Sequence, residues 1–267
     1  MKTPDTSIKL PLISIITVVY NGEKHLEKTI QSVIHQTYKN IEYIIVDGGS
    51  TDKTIDIIKK YSSQINYWIS EKDKGIYDAM NKGLIAATGD FVWFINAGDL
   101  IYENNILEKI FNSSNTISLP FGEGQGGAAD VYYGETEEIN EDGSVIGMRR
   151  LQTSKNLSWK SFAMGMVVCH QSIIIKREVT ENYNLEYRYS ADIDWIIRAL
   201  KKSKTILNTN LILSKFQKGG TSRHHIMESL KERFSIMTRH YGFLTTFFNH
   251  FIIGTKFFIF IFKNKRF

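Results

Sequence analysis

The chain has 267 residues, of which 42% are hydrophobic and 23% are charged. These proportions are typical of a globular protein with one sizeable core, and they exclude a chain that is disordered throughout. The single cysteine, Cys169, excludes an internal disulfide and fits a reducing compartment. Residues 1–9 show no secretory signal, so we expect a cytoplasmic catalytic part.

The net charge of +5 is concentrated towards one end. Residues 215–267 contain ten Lys or Arg and two Asp or Glu, so they carry +8 and the rest of the chain carries −3. A basic end suggests an anionic partner such as membrane lipid or nucleic acid. The simpler interpretation is a solvated basic surface.

Strand-like and helix-like patterns alternate along the first hundred residues. Apolar, β-branched runs predict buried strands, and apolar residues at helical spacing predict helices between them. The predicted strands are 10–20, 41–47, 65–70 and 90–99, and the predicted helices are 23–36, one that Ser50 or Thr51 caps, and 76–87. This alternation implies right-handed crossovers, and it predicts an α/β fold with a mostly parallel sheet flanked by helices.

The second half is less regular. Short strands are predicted at 130–134, 144–150 and 165–175, followed by a helix at 191–202. The GEGQGG run could be read as a phosphate cradle, but no Lys-Ser/Thr pair follows it, which favours a plain loop.

The C-terminal end is rich in Phe and Ile. The apolar stretch 243–262 is about as long as a membrane span, but Asn249, His250 and Lys256 interrupt it. This pattern favours an interfacial helix or hairpin. We therefore predict a catalytic domain at 1–240 and a membrane-associating segment at 241–267. The alternative is that the segment packs on the domain or forms an oligomer interface.

Polar residues follow the predicted strands of the first half. Parallel sheets bind ligands beyond the carboxyl ends of their strands, so these residues should converge on one crevice. They are Tyr20-Asn21, Asp47-Gly48-Gly49, Asp73-Lys74 and Asn96-Ala97-Gly98-Asp99.

The same part of the chain carries a family resemblance. It contains ISIITVVYNGEKHLEKTIQSVIHQTYKNIEYIIVDGGSTDKT and EKDKGIYDAMNKGLIAATGDFVWFINAGD. These runs resemble the family 2 glycosyltransferases, most of all the bacterial transferases that build cell-surface polysaccharides. The resemblance covers roughly 10–240 and is most specific over 12–99. It implies the A-type glycosyltransferase fold, a nucleotide-sugar donor and, usually, inversion at the anomeric carbon.

The resemblance assigns several residues to the donor. Val18 and Tyr20 match the segment that meets the nucleotide base, and Asp47 matches an aspartate that accepts a hydrogen bond from the base. A turn or cap role is the alternative for Asp47. Lys74 is expected to contact the nucleotide. Lys218 is expected to close over the diphosphate, in a basic loop with Gly219, Gly220, Arg223 and His224.

The run NAGD, at 96–99, occupies the place of the family's aspartate-rich metal signature. Asp99 matches the final aspartate and is the expected ligand of Mg²⁺ or Mn²⁺, which prefer oxygen ligands. The sequence departs from the signature at two positions. Asn96 can bond a ribose hydroxyl but carries no charge, and Gly98 offers only its backbone.

A catalytic base is expected from YSADIDW, at 189–195, where the family has its Glu-Asp signature. Asp192 matches the aspartate usually assigned as the base, and Asp194 is the second candidate. The alternative is that both are carboxylates favoured by a helix N-terminus. His170-Gln171 resembles an acceptor-side motif, and a satisfied buried histidine is the alternative.

These residues together predict an inverting glycosyltransferase that acts on a glycan or lipid-linked acceptor. It would lie peripherally on the cytoplasmic face of the inner membrane. A second hypothesis is a catalytically weak nucleotide-sugar-binding or scaffold protein on the same fold, since the metal signature is incomplete. A nucleic-acid partner is not expected, because the chain lacks the interleaved basic and aromatic surface of such modules.

Overall fold

The computed structural model describes residues 10–111, 129–219 and 225–264, with side chains up to Thr255. The GEGQGG run and the basic-loop residues Gly220, Arg223 and His224 lie outside the described residues.

The first part of the chain is a parallel α/β unit. Its elements are β1 (Ile13–Val19), α1 (Leu26–Ile34), β2 (Ile41–Asp47), α2 (Thr54–Lys60), β3 (Tyr67–Ser70), α3 (Ile76–Ala86) and β4 (Phe91–Phe94). The strands lie in the order β3-β2-β1-β4, and every neighbouring pair is parallel. All residues of β1 are buried, which is why its sequence is a continuous β-branched run rather than an alternating one.

The second part extends the same sheet and adds helices. Its elements are β5 (Leu100–Ile101), α4 (Ile106–Phe111), β6 (Val131–Ile139), β7 (Val145–Met148), β8 (Ile173–Lys176), α5 (Ala191–Lys202), β9 (Ile206–Gln217), α6 (Ile226–Tyr241) and α7 (Phe243–Asn264). The order continues from β4 through β8, β6 and β9 to β5, with β7 paired to β6. β8 is antiparallel to both β4 and β6, and β9 is parallel to β6 and antiparallel to β5.

Hydrophobic residues fill both faces of the sheet. One core contains residues of α3, α5 and α6, and the other contains residues of α1, α2 and α4. Neighbouring residues of β4 show the division, since Trp93 belongs to one core and Phe94 to the other. Parallel ladders hold most of the paired residues. The predicted fold class, a mostly parallel sheet flanked by helices, is confirmed.

Three predicted elements need correction. The strand predicted at 90–99 ends at Phe94, because the chain then turns through Gly98 at φ 103°. The strand predicted at 165–175 is confined to β8, since a 3-10 turn occupies 170–172. The helix expected to begin at Ser50 or Thr51 begins at Thr54 without a side-chain cap, because the Ser50 hydroxyl donates to Asp47 instead.

The C-terminal segment forms one helix in the structure rather than a hairpin. α7 follows α6 after Gly242, which has φ 84°. Its first half packs on the rest of the protein, since Asn249 Nδ2 donates to the carbonyl of Ala163 over 3.1 Å and the rings of Phe234 and His250 lie 5.1 Å apart. Its opposite face leaves Phe243, Leu244, Phe247, Phe248, Phe251 and Ile252 exposed. Across the described ranges, no helix is long and apolar enough to cross a membrane.

Candidate active site

The candidate site lies where the parallel strands β1 to β4 end, which we call the carboxyl edge of the sheet. The last residue of β1, Val19, pairs with Asp47, and Asp47 pairs with Ser70 of β3. The loops that follow these strands therefore start side by side, as the sequence predicts for a single crevice.

Asp47 organises the loops after β2 and β3. The residue is fully buried, and its Oδ2 accepts hydrogen bonds from the backbone amides of Gly49 (3.0 Å) and Ser50 (2.9 Å) and from the Ser70 hydroxyl (2.7 Å). Its Oδ1 accepts a further bond from the Ser50 hydroxyl at 2.5 Å. The turn role is thus observed directly, whereas the predicted contact with a nucleotide base stays a prediction.

Tyr20 presents its side chain to the crevice. The ring is 63% exposed and lies beside Gly48, where an added Cβ would be 3.5 Å from it. The Asp73 carboxylate lies over the same glycine, because that Cβ would come within 2.3 Å of Asp73 Oδ2. Lys74 is exposed on the same loop. Val18 is buried in the core, so its side chain does not reach the crevice.

A tight turn follows β4 and carries Asn96, Gly98 and Asp99. The Gly98 amide donates to the Thr29 hydroxyl over 3.0 Å, and that hydroxyl donates to the Asp99 carbonyl over 2.9 Å. A Cβ on Gly98 would lie 2.9 Å from Gln217 Oε1. The positive φ favours glycine here, where the family signature has an acidic residue, while the flexible Gln217 side chain could move aside.

Two glutamines hold the Asp99 side chain. Gln171 donates its Nε2 to Oδ2 over 2.8 Å, and the Gln217 backbone amide donates to Oδ1 over 3.0 Å. Asp99 is only 5% exposed. Burial raises the pKa of Asp99 to about 7, although both hydrogen bonds favour the ionised form. A nearby cation would offset the cost of desolvating the ionised Asp99 carboxylate.

The turn offers few metal ligands of its own. Within the described residues, no three His, Cys, Asp or Glu side chains converge on a metal-sized site. Asn96 Oδ1, in the same turn as Asp99, is buried without a hydrogen-bond partner among the described residues. The residues fit a hard cation only if phosphate oxygens and water complete its shell. Lys218 follows Gln217, and its ammonium lies 2.7 Å from Glu138 Oε2.

The two candidate bases at the start of α5 differ in their partners. Asp194 is 2% exposed, and its oxygens bond Arg198 Nε and His240 Nε2, each at 2.8 Å. Burial favours a raised pKa, but the hydrogen bonds from His240 and Arg198 outweigh it, so the pKa of Asp194 is lowered. Asp194 therefore ties α5 to α6.

The Asp192 carboxylate has fewer hydrogen-bond donors than that of Asp194. Its Oδ1 accepts from the Tyr77 hydroxyl over 3.1 Å and from the Ile193 amide over 3.0 Å. Among the residues that the structure describes, no group donates to Oδ2. Burial raises the pKa of Asp192, and the charge of Arg233 and the Tyr77 hydroxyl only partly offset this effect. A carboxylate with one unoccupied oxygen and a raised pKa suits a general base.

His170 and Gln171 connect the two sides of the site. His170 is buried, its Nε2 lies 2.7 Å from the Tyr183 hydroxyl, and burial lowers its pKa to about 3. It is a neutral histidine with a satisfied nitrogen, and no contact assigns it to an acceptor. Gln171, the next residue, holds Asp99.

Three residues that shape the site were not predicted from the sequence. Thr29 holds the turn after β4 through its hydroxyl, Gln217 bonds Asp99 through its backbone amide, and Tyr77 bonds Asp192. The partners of these three lie 70 to 118 positions away along the chain, and no local pattern encodes such distances. Asp73, which covers Gly48, was among the polar residues expected in the crevice because it follows a predicted strand.

Known proteins resemble this chain in sequence and in architecture. The profile of glycosyl transferase family 2 matches residues 14–180. A PGL/p-HBAD biosynthesis glycosyltransferase of Mycobacterium bovis is 28% identical over 240 residues, which cover 86% of each chain.

Two solved structures share the fold. TarS 1-349 of S. aureus in complex with UDP-GlcNAc superposes with a TM-score of 0.63 at 17% identity, covering 89% of this chain and 72% of that one. In another structure of the TarS fragment the chain spans 65% of its length. The mannosyltransferase PcManGT of Pyrobaculum calidifontis, in complex with GDP-Man and Mn²⁺, superposes with a TM-score of 0.57 at 14% identity, covering 87% of this chain and 65% of that one.

The family profile covers more than half of the chain, and its match begins in β1 and runs through the turn after β4. The solved structures confirm the predicted A-type glycosyltransferase architecture. The chain belongs to glycosyl transferase family 2.

Proposed function

We propose that this glycosyltransferase moves a sugar from a nucleotide-sugar donor to a hydroxyl of a glycan or lipid-linked acceptor, with inversion, in surface polysaccharide biosynthesis. The relative named for PGL/p-HBAD biosynthesis supports a role in building cell-envelope glycans. The neighbours that hold UDP-GlcNAc and GDP-Man support a nucleotide-sugar donor.

The observation that carries the proposal is the contrast between Asp192 and Asp194. Asp192 keeps one carboxylate oxygen without a protein donor among the described residues, whereas both oxygens of Asp194 are bonded. Asp192 therefore accepts the acceptor proton as the hydroxyl oxygen attacks the anomeric carbon. The bond from that carbon to the phosphate oxygen breaks, and the nucleoside diphosphate leaves.

The donor lies along the carboxyl edge. The exposed Tyr20 ring provides a stacking surface for the nucleotide base, and the Asp73 carboxylate beside it can accept a base N–H. Uracil and guanine both offer such a donor. Lys74, which is exposed on the same loop, would meet the phosphates. Lys218 would close over the diphosphate by leaving its ion pair with Glu138.

Asp99 and Asn96 would hold Mg²⁺ or Mn²⁺ together with the diphosphate oxygens. The partnerless Asn96 oxygen and the buried Asp99 carboxylate support this assignment. Such a cation stabilises the negative charge that develops on the leaving diphosphate. Gln171 and Gln217 orient Asp99, so their hydrogen bonds fix the carboxylate before the donor arrives.

The exposed face of α7 supports attachment to the cytoplasmic face of the inner membrane. Its Phe and Leu side chains would lie at the acyl boundary, and the basic residues Lys263, Lys265 and Arg266 follow in the sequence. A lipid-linked acceptor is confined to the same surface.

The experiment is a screen of UDP-, GDP- and TDP-sugars by thermal shift, followed by transfer and donor-hydrolysis assays on those that bind. Binding raises the apparent melting temperature by mass action. We expect one class of nucleotide sugar to bind and to be turned over by the unaltered protein. Asp192→Asn should lose both the transfer and the donor-hydrolysis activity. Binding without turnover by the intact chain would support a sugar-nucleotide-binding protein instead.

A further inference from the structure

Tyr77 contacts the proposed base from a separate helix. Tyr77 is the second residue of α3, Asp192 is the second residue of α5, and the hydroxyl of the one donates to Oδ1 of the other over 3.1 Å. The two residues are 115 positions apart in sequence. Tyr77 is 7% exposed and Asp192 is half-buried, so this bond is only partly open to water.

The Tyr77 ring is fixed on its other side. It stacks on Tyr183 at 5.5 Å and 25°, and Tyr183 stacks on Trp195 at 4.9 Å and 12°. Asn81, one turn further along α3, bonds both the amide and the carbonyl of Tyr183, at 2.6 and 3.0 Å. This three-ring stack, formed by Tyr77, Tyr183 and Trp195, restricts where the Tyr77 hydroxyl can point.

We propose that Tyr77 is a positioning residue for Asp192. Its hydroxyl holds Oδ1 of the carboxylate, so that Oδ2 is left to take the acceptor proton. This inference rests on the proposed function, because it assumes that Asp192 is the base. The Ile193 amide also bonds Oδ1 but belongs to the same helix, so Tyr77 supplies the side-chain contact that fixes the carboxyl plane relative to α3.

The charged and titratable groups around Asp192 come from three directions. Arg233 and Glu232 approach from α6, Tyr183 lies before α5, and Tyr77 comes from α3. Burial and the charge of Asp192 raise the pKa of Tyr77 well above its ordinary value, so its hydroxyl keeps the proton that it donates. A bond donated to a carboxylate favours the ionised form, so loss of this hydroxyl raises the pKa of Asp192.

The test is Tyr77→Phe, which removes only the hydroxyl and keeps the ring stack. We expect the donor KM to change less than twofold and kcat to fall about tenfold, because the base loses the side-chain hydrogen bond that orients its carboxylate. The acid limb of the kcat profile should move to higher pH by about one unit. A purely structural role would lower the melting temperature without moving this limb.

Tyr38→Phe is the matched control. Tyr38 is also buried, and its hydroxyl also makes one hydrogen bond, to the carbonyl of Pro11, at the amino end of the sheet. The pH profile of kcat for Tyr38→Phe should equal that of the unaltered protein. A Tyr77→Phe profile that also equals it would overturn the inference.

A double-mutant cycle separates this inference from the proposed function. If Tyr77 acts through Asp192, Tyr77→Phe should have no further effect on the residual rate of Asp192→Asn. Full additivity would overturn the positioning role alone. Unchanged turnover in Asp192→Asn by itself would overturn the assignment of the base, and with it the basis of the inference.

Discussion

Asp47, the last residue of β2, and Asp192, at the start of α5, have opposite surroundings. Asp47 is fully buried, whereas Asp192 is half-buried. Asp47 accepts four hydrogen bonds from its own and the adjoining loop, so neither of its oxygens lacks a donor. Among the described residues, Asp192 receives two bonds, both at Oδ1. A buried carboxylate supplied with many donors is stabilised as an anion and holds the backbone in place. One with few donors remains able to accept a proton.

The comparison separates residues that build the crevice from residues that react in it. Asp194 resembles Asp47, because Arg198 and His240 occupy both its oxygens. Asp99 is intermediate, with one donor to each oxygen. Substitutions at these four carboxylates should therefore divide between effects on turnover and effects on stability.

The largest effect is expected at Asp192. Asp192→Asn should lower kcat by roughly two to four orders of magnitude, as loss of a general base does, while donor binding stays nearly unchanged. Steady-state kinetics and donor titration measure the two quantities. Asp194→Asn is the matched control two residues away. If Asp194→Asn abolishes turnover in a folded protein and Asp192→Asn does not, our distinction between the two aspartates is wrong.

The second effect is expected at Asp99. Asp99→Asn should remove most of the activity with the fold intact, and chelation by EDTA should do the same to the unaltered protein, because both leave the diphosphate charge without its cation. Restoring Mg²⁺ or Mn²⁺ should recover activity only in the unaltered protein. Full turnover in excess EDTA would exclude the proposed metal mechanism.

The third effect is on stability and concerns Asp47. Asp47→Ala should lower the free energy of unfolding by about 1–3 kcal/mol, because the half-buried amides of Gly49 and Ser50 lose their acceptor. Chemical denaturation measures this change. If Asp47→Asn instead weakens donor binding while stability stays unchanged, the aspartate contacts the base as the family resemblance implies.

The fourth effect is the pH dependence of the contribution that Asp194 makes to the stability of the folded protein. The folded-state pKa of Asp194 is lowered from the ordinary 3.8, so its stabilising effect is fully present above that value and is lost as the pH falls through the lowered one. Asp194→Asn should thus be less stable than the unaltered protein at neutral pH, and the gap should narrow in acid. A gap that widens in acid would contradict the assignment of the ion pair.

Elements with strong local signals are predicted most closely from the sequence. β2 and α5 have the predicted boundaries, since turn residues or charged residues flank each apolar pattern. β9 and α6 were not predicted. β9 mixes Asn, Thr and Ser with its apolar residues, and its pairing with β6 and β5 determines its burial.

The sequence indicates where single site residues lie, but it does not indicate which distant residues form hydrogen bonds with them. The position of Asp99 after an apolar strand indicates a carboxylate at the carboxyl edge. Nothing near it indicates that Gln217, 118 positions away, would bond it. Asp192 and Asp194 differ in their partners from other elements, Tyr77 and His240, and in the bond from Arg198 to Asp194 within α5. Tertiary contacts therefore decide which carboxylate is free.

The smallest effect on catalysis, and the largest on location, is expected from α7. Phe247 and Phe251 lie on its exposed face, one turn apart. Replacing both by Ser should weaken binding to vesicles that contain phosphatidylglycerol by tenfold or more, because burying one Phe side chain contributes roughly 1.5–3 kcal/mol. The rate of transfer to a water-soluble acceptor should stay within about twofold, since the carboxyl edge is untouched. Ile85→Ser, at an exposed residue of α3, is the control for loss of surface hydrophobicity.

Deletion of 243–267 should release the protein from cell membranes as well. A full chain that ignores these vesicles, or a deletion variant that stays membrane-bound, would show that this face packs against protein instead.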